Sequence, residues 1–129
     1  VDELEIYGSN WNTFDGTCVR DYIHVMDVAE GHLRVLEFLQ KSNLPFLTLN
    51  IGTGKGSSVL EIINIFQEEN KVKIKCSFKE RRKGDCDILF ADNSKALSIL
   101  NWAPKLSIQE ICKDSWRWQK KINNISFKI

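Results

Sequence analysis

The chain has 129 residues, the length of one domain, and its 43% hydrophobic and 27% charged content reads as globular rather than disordered. Eighteen basic residues against 17 acidic ones leave a formal net charge of +1, too little to gather nucleic acid or an anionic membrane, so any anion has to be bound locally. Cys18, Cys76, Cys86 and Cys112 form no CxxC pair and three of them lie far from His24 and His32, which argues against zinc; without a signal peptide or a long apolar run, they read as reduced thiols in a cytoplasmic protein.

The chain opens VDELEIYG without an initiator methionine and enters a strand, Leu4 to Tyr7, almost at once, as a piece cut from something longer would. After a polar loop, residues 19 to 25 alternate strictly: Val19, Asp21, Ile23 and Val25 on one side, Arg20, Tyr22 and His24 on the other. That predicts a strand with one mostly apolar face and one ligand-facing face. Asp27, with Glu30 three residues on, predicts a capping box for a helix that buries Val28, Leu33, Leu36 and Leu39 and stops near Lys41. PFLTLNIG, residues 45 to 52, reads as a short buried strand, and GTGKGSS turns it into a helix capped by Ser57 or Ser58, with Glu61 completing a Ser58 capping box. KVKIKCS alternates lysines with apolar residues, the pattern of a strand with one wet face. Beyond the charged loop FKERRKGD comes a short extended piece, CDILFAD, then a helix from Ser94 to Leu100. Ser107 and Glu110 box the last helix, whose inward positions are Ile108, Ile111, Cys112 and Trp118, and Asn123 onward reads as a tail. Strands alternating with helices over the whole length predict a single α/β unit, residues 1–129.

Two stretches invite a nucleotide. In IGTGKGSS the glycines at 52, 54 and 56 are two apart, so the G-x-G-x-x-G fingerprint fails, no acidic residue stands about 20 residues on, and Lys55 lacks the Ser/Thr of a Walker loop. A structural turn is favoured over a peripheral ligand contact. The run ERRKGD is either a solvated charged loop or a diphosphate site: a guanidinium fork suits a diphosphate, a nearby carboxylate accepts from a ribose hydroxyl, and Gly84 permits close approach. Arg20 would supply a second fork. There is no G-x-S-x-G elbow, paired-carboxylate motif or H-E-x-x-H; His24 and His32 read as packing or surface residues, Trp116 and Trp118 as packing.

Taken together, DGTCVRDYIHVMDVAEGHL, LNIGTGKGSSVLEII, RRKGD, FADNSKA, LNW and DSWRWQ resemble the carboxy-terminal part of the UDP-glucose 4-epimerases, which are extended short-chain dehydrogenase/reductases. The resemblance runs in order over nearly the whole chain. It implies the substrate-binding portion of a Rossmann-type enzyme that interconverts UDP-glucose and UDP-galactose through an NAD-dependent 4-keto intermediate, as a homodimer. The family's glycine fingerprint and Tyr-x-x-x-Lys pair lie in an amino-terminal portion absent here: Tyr7 is followed four residues on by Trp11, and Tyr22 by Met26. The chain is therefore expected to hold no NAD, to bind UDP-sugars weakly and to be inactive alone. The alternatives are another nucleotide-sugar epimerase or dehydratase of the same family, and a stand-alone binding module.

By position, the resemblance implies that Glu5, Ile6 and Tyr7 read the uracil, largely through backbone groups, and that Arg20 and Arg82 bind the diphosphate. Tyr22 lies beside that site, Asp85 accepts from the ribose with Lys83 and Gly84 completing its loop, Val59 is an apolar wall, and Leu89 borders the sugar. Lys83 replaces a usual proline, which loosens the loop; Leu89 is bulky and favours unacetylated sugars. The helix from Val28 and the strand at 47–51 are expected to pack on the missing Rossmann portion, leaving apolar surface and a tendency to self-associate.

Overall fold

Residues 3 to 124 are described in a computed structural model. The order is β1 (Leu4–Tyr7), β2 (Val19–Arg20), α1 (Val25–Lys41), β3 (Ser57–Ser58), α2 (Val59–Asn70), β4 (Cys76–Lys79), β5 (Ile88–Leu89), α3 (Ser94–Leu100) and α4 (Ile108–Asn124). This is the α/β alternation expected from the sequence. β1 pairs in parallel with β4, Leu4 facing Cys76 and Tyr7 facing Lys79. β2 is the centre of a second sheet, antiparallel to β3 and parallel to β5, with Arg20 level with Ser57 on one side and Leu89 on the other.

The helices begin and end for local reasons. Ser58 caps α2 by accepting from the Glu61 amide at 3.0 Å while Glu61 accepts from the Ser58 amide at 3.2 Å, the reciprocal box read from the sequence. Ser107 and Glu110 do the same for α4 at 3.3 and 2.7 Å. α2 packs on α4 through Phe66 and Trp116, edge to face with centroids 5.8 Å apart, and through the buried Cys112. A separate core joins Ala96, Leu100 and Trp102 to Ile23, Val35, Phe38, Leu49, Ile51 and Ile99.

Several expectations are corrected. The strand predicted for 19–25 is paired only at Val19–Arg20, because α1 starts at Val25. His24, 4% exposed, is its N-cap: the Nδ1 atom accepts from the Met26 amide at 3.0 Å, leaving Nε2–H to donate to Asp114 at 3.3 Å. Asp27 is therefore not the cap, and Glu30 pairs with Lys105 instead. Along α1, Leu33 and Leu36 stay 53% and 59% exposed; Asp27 and Gly31 are the buried positions. Residues 45–52 form no strand among the described residues: Leu47, Leu49 and Ile51 turn partly inward and Phe46, Thr48 and Asn50 outward, as in a strand, but no ladder partner lies beside them. The lysine alternation at 71–75 holds for exposure, yet pairing starts only at Cys76. Trp118 is 59% exposed, and Asn123 and Asn124 continue α4; the rest of the expected tail lies outside the described residues. Among the described residues no helix is long and apolar enough to cross a membrane, and no cluster of His, Cys, Asp and Glu could hold a metal.

With such short strands, side-chain carboxylates connect distant segments. Asp15 accepts from the Thr17 amide at 2.9 Å and hydroxyl at 2.7 Å, and from the Ser58 hydroxyl. Asp27, 2% exposed, accepts from the Lys105 and Leu106 amides at 3.1 and 3.0 Å, fixing the approach to α4. Asp27→Ala removes a buried carboxylate and leaves two part-buried amides without their acceptor, and is expected to cost about 3 kcal/mol, read by urea denaturation. Partial burial raises the Asp15 carboxyl, but hydrogen bonds from Ser58 and Thr17 outweigh it and hold the group below its ordinary value. A folded value below the unfolded one means that ionised Asp15 stabilises above the unfolded pKa and that this gain is lost as pH falls through the folded pKa. The stability gap between the native chain and Asp15→Asn is thus expected to be full at neutral pH and to close below about pH 4, measured by denaturation across pH.

Candidate functional site

β1 and β5 bring the two ends of the site together. The loop between β4 and β5 contains a turn in which the Asp85 amide donates to the Arg82 carbonyl at 3.3 Å and Gly84 sits at φ +91°, with nothing within 4 Å of where a Cβ would stand. A left-handed third position is the conformation glycine adopts without steric cost, and the second position, Lys83, is where proline would pre-set the backbone. The expected loosening by Lys83 thus has a structural location.

Arg82 lies over the Tyr7 ring, its guanidinium carbon 3.7 Å from the centroid. The Tyr7 hydroxyl donates to Glu5 at 2.7 Å, and this bond, ahead of Lys79 and Arg82 and against slight desolvation, holds the Glu5 carboxyl below its usual value. On the other flank Arg20 donates to the Cys86 carbonyl at 2.9 Å and to the Val19 carbonyl at 2.8 Å, and stands 3.9 Å from Asp85. The β2–β5 register sets Leu89 level with Arg20, and both line an open cavity of about 550 Å³ with Leu49, Ile51 and Phe90. A chain of contacts therefore runs from Glu5 through Tyr7, Arg82 and the turn to Asp85, Arg20 and Leu89. Two cations and two carboxylates so placed can hold a dianionic group and hydroxyls beside it.

Three further residues expected at the site have these surroundings. Ile6 is 2% exposed, its side chain buried in the core. Val59 is half-buried at the start of α2, its amide donating to the Cys18 carbonyl at 3.1 Å. Tyr22 lines a different cavity, about 350 Å³, with Thr53, Lys55 and Ser57. Burial, with Cys18 adding and Arg20 opposing, pushes the Tyr22 phenol up, so it stays protonated at neutral pH and is unsuited to act as a base.

Sequence reasoning passed over Asp21. Its carboxylate accepts from the Thr53 and Gly54 amides at 3.0 Å each, from the Ala91 amide at 3.3 Å and from the Thr53 hydroxyl. The glycine turn is thus a structural one whose amides already hold an anion, the side chain of Asp21. Asp21 was placed on the apolar face by alternation, and an aspartate among Val19, Ile23 and Val25 was the available signal.

The family model described as GDP-mannose 4,6 dehydratase matches residues 2–115. UDP-glucose 4-epimerase 4 of Oryza sativa subsp. japonica is 47% identical over 118 residues, covering 92% of this chain and 32% of the relative. UDP-glucose 4-epimerase of Bacillus subtilis is 44% identical over 119 residues, covering 92% and 35%. Among solved structures, the UDP-glucose 4-epimerase of Stenotrophomonas maltophila with bound NAD and formylated UDP-arabinopyranose superposes with a TM-score of 0.94 at 40% identity, over 98% of this chain and 37% of that one. The Bifidobacterium longum enzyme in complex with NAD+ and UDP gives 0.89 at 40% identity, over 96% and 36%. The chain spans about a third of the length of these relatives. On this shared sequence and fold, the chain belongs to the extended short-chain dehydrogenase/reductases of nucleotide sugars, the family of the UDP-glucose 4-epimerases.

Proposed function

We propose that residues 1–129 are the carboxy-terminal, UDP-sugar-binding region of a cytoplasmic UDP-glucose 4-epimerase of galactose metabolism, which works as a homodimer and interconverts UDP-glucose and UDP-galactose. The observation that carries this is the convergence of Arg20, Arg82 and Asp85 on one turn, beside the Tyr7 ring. In this reading Arg20 and Arg82 fork the diphosphate, and Asp85 accepts from the ribose. The backbone at Glu5, Ile6 and Tyr7 faces the uracil, with Val59 as an apolar wall of the nucleotide pocket and Tyr22 a neighbour. Lys83 and Gly84 form the tip of the ribose loop. Leu89, beside Arg20, presents a bulky apolar wall to the sugar and favours unacetylated hexoses.

NAD supplies the acceptor for the sugar's C4 hydride when bound, and the residues of this chain do not fit it. The amides of Thr53 and Gly54 in its glycine turn are bonded to Asp21. Neither Tyr7 nor Tyr22 has a lysine four residues on. The chain's own part is to bind and orient the nucleotide while the Rossmann portion of the parent carries the cofactor and the proton transfers. The exposed Leu33 and Leu36 and the unpaired 46–51 segment are the surface that such a portion would cover.

In UDP titrations of the chain by calorimetry, Arg20→Ala and Arg82→Ala are each expected to cost about 1.5 to 3 kcal/mol, the scale of a charged hydrogen bond. Unchanged affinity in both variants removes the diphosphate assignment. Incubated with UDP-galactose and NAD+, the isolated chain is expected to form no UDP-glucose by NMR product analysis; turnover would place the catalytic machinery within these residues.

A further inference from the structure

The two adjacent arginines of ERRKGD point to different partners. Arg82 lies over Tyr7, whereas Arg81 lies over Trp11, its guanidinium carbon 4.2 Å from the ring centroid. Arg81 also donates through Nε to the Asn10 side-chain oxygen at 2.8 Å and through Nη2 to the Asn10 carbonyl. Its fork grips one loop residue and its flat face rests on the next.

That platform is itself fixed. Trp11 is 8% exposed, and its indole N–H donates to the Tyr7 carbonyl at 3.0 Å, so the ring under Arg81 is tied to the residue that carries the ring under Arg82. The Trp11 amide donates to Gly16 at 3.0 Å and the Thr13 hydroxyl to Thr17 at 2.6 Å, closing the loop that Asp15 fastens to Ser58 at the start of α2. Gly8, at φ +88°, lets the two strand-end loops meet: a Cβ there would stand 2.9 Å from the Arg81 Cγ. Beyond Arg81 the 82–85 turn is closed by one 3.3 Å backbone bond with open space where a Gly84 Cβ would stand, and its far end is held by Arg20 at Asp85 and Cys86.

We propose that Arg81 is a positioning residue: by clasping Asn10 and Trp11 it sets the backbone from which Arg82 reaches the diphosphate, a role that rests on the reading of Arg82 given above. Arg81 does not bind the nucleotide, because its fork and its face are both engaged by the 10–11 loop. The clasp makes the orientation of Arg82 depend on the 8–17 loop, and through Asp15 on the cap of α2. A cation stacked on a buried indole with two hydrogen bonds is a stronger fastening than an exposed ion pair.

The test uses the 129-residue chain, with UDP as the probe, in the variants Arg81→Ala, Arg82→Ala and the double substitution. Ring-current shifts of the Arg82 side-chain protons over Tyr7, read by NMR without ligand, report the orientation directly. Arg81→Ala is expected to abolish those shifts and to weaken UDP about tenfold, the scale of one charged hydrogen bond. The double variant is expected to bind UDP no worse than Arg82→Ala alone, since Arg81 acts only through Arg82. Arg81→Lys keeps a cation over Trp11 but lacks the fork, and is expected to recover part of the ring-current shift. Additive losses in the double variant would overturn the proposal in favour of direct contact with the nucleotide. Unchanged Arg82 shifts in Arg81→Ala would overturn it outright. If Arg82→Ala leaves UDP binding intact while Arg81→Ala still removes the shifts, the clasp stands and the diphosphate reading falls.

Discussion

Carboxylates at positions 15, 21 and 27 hold together segments that the sheets are too short to join. Each accepts from groups dozens of residues away: Asp15 from Ser58, Asp21 from Thr53, Gly54 and Ala91, Asp27 from Lys105 and Leu106. A strand pair of two residues offers little ladder, whereas an ionised carboxylate can accept several bonds, each stronger than a neutral one. The stretch from 15 to 27 therefore works as a spine, and β2, with Arg20 on it, is held between two of its fastenings.

This arrangement explains the glycine turn. A strand, a glycine-rich turn and a helix start together suggest a phosphate cradle, and the turn's amides do bind an anion. The anion is a side chain of the same protein. The nucleotide reading rests instead on Arg20 and the 82–85 turn, where one guanidinium stands beside a carboxylate and the other over an aromatic face. Those groups rest on strand ends and a short turn. The neighbouring loop, through Trp11, supplies the rigidity that a single 3.3 Å bond across the turn does not.

Helix limits were largely legible, because caps are local: Ser58 with Glu61 and Ser107 with Glu110 lie three residues apart and bond as their spacing requires. Strands were less so. Alternation at 71–75 shows correctly which side chains face inward, as the exposure of Lys71, Lys73 and Lys75 attests, whereas at 19–25 it fails at its end, where His24 is buried and Val25 is 73% exposed because α1 has begun; in neither place does it say whether another strand lies within hydrogen-bonding distance. His24 was read as packing or surface because an N-cap histidine resembles neither Ser nor Asp, and its cap depends on the tautomer that Asp114, ninety residues on, selects. Trp118 was placed inward by helical spacing; the neighbour that decides the matter is Phe66, which takes Trp116 instead.

By itself the sequence determined the α/β class, the capping boxes of α2 and α4, the family resemblance and the residue types suited to a diphosphate. Each of these depends on neighbours a few positions apart or on an ordered set of motifs. Only the tertiary structure decided that Arg82 stacks on Tyr7, that Arg20 faces Asp85, that Asp21 fills the glycine turn and that Tyr22 opens into a separate cavity. Those are meetings of side chains some 30 to 75 residues apart, set by the pairing of β1 with β4 and of β2 with β5 and by the loops that the carboxylates hold.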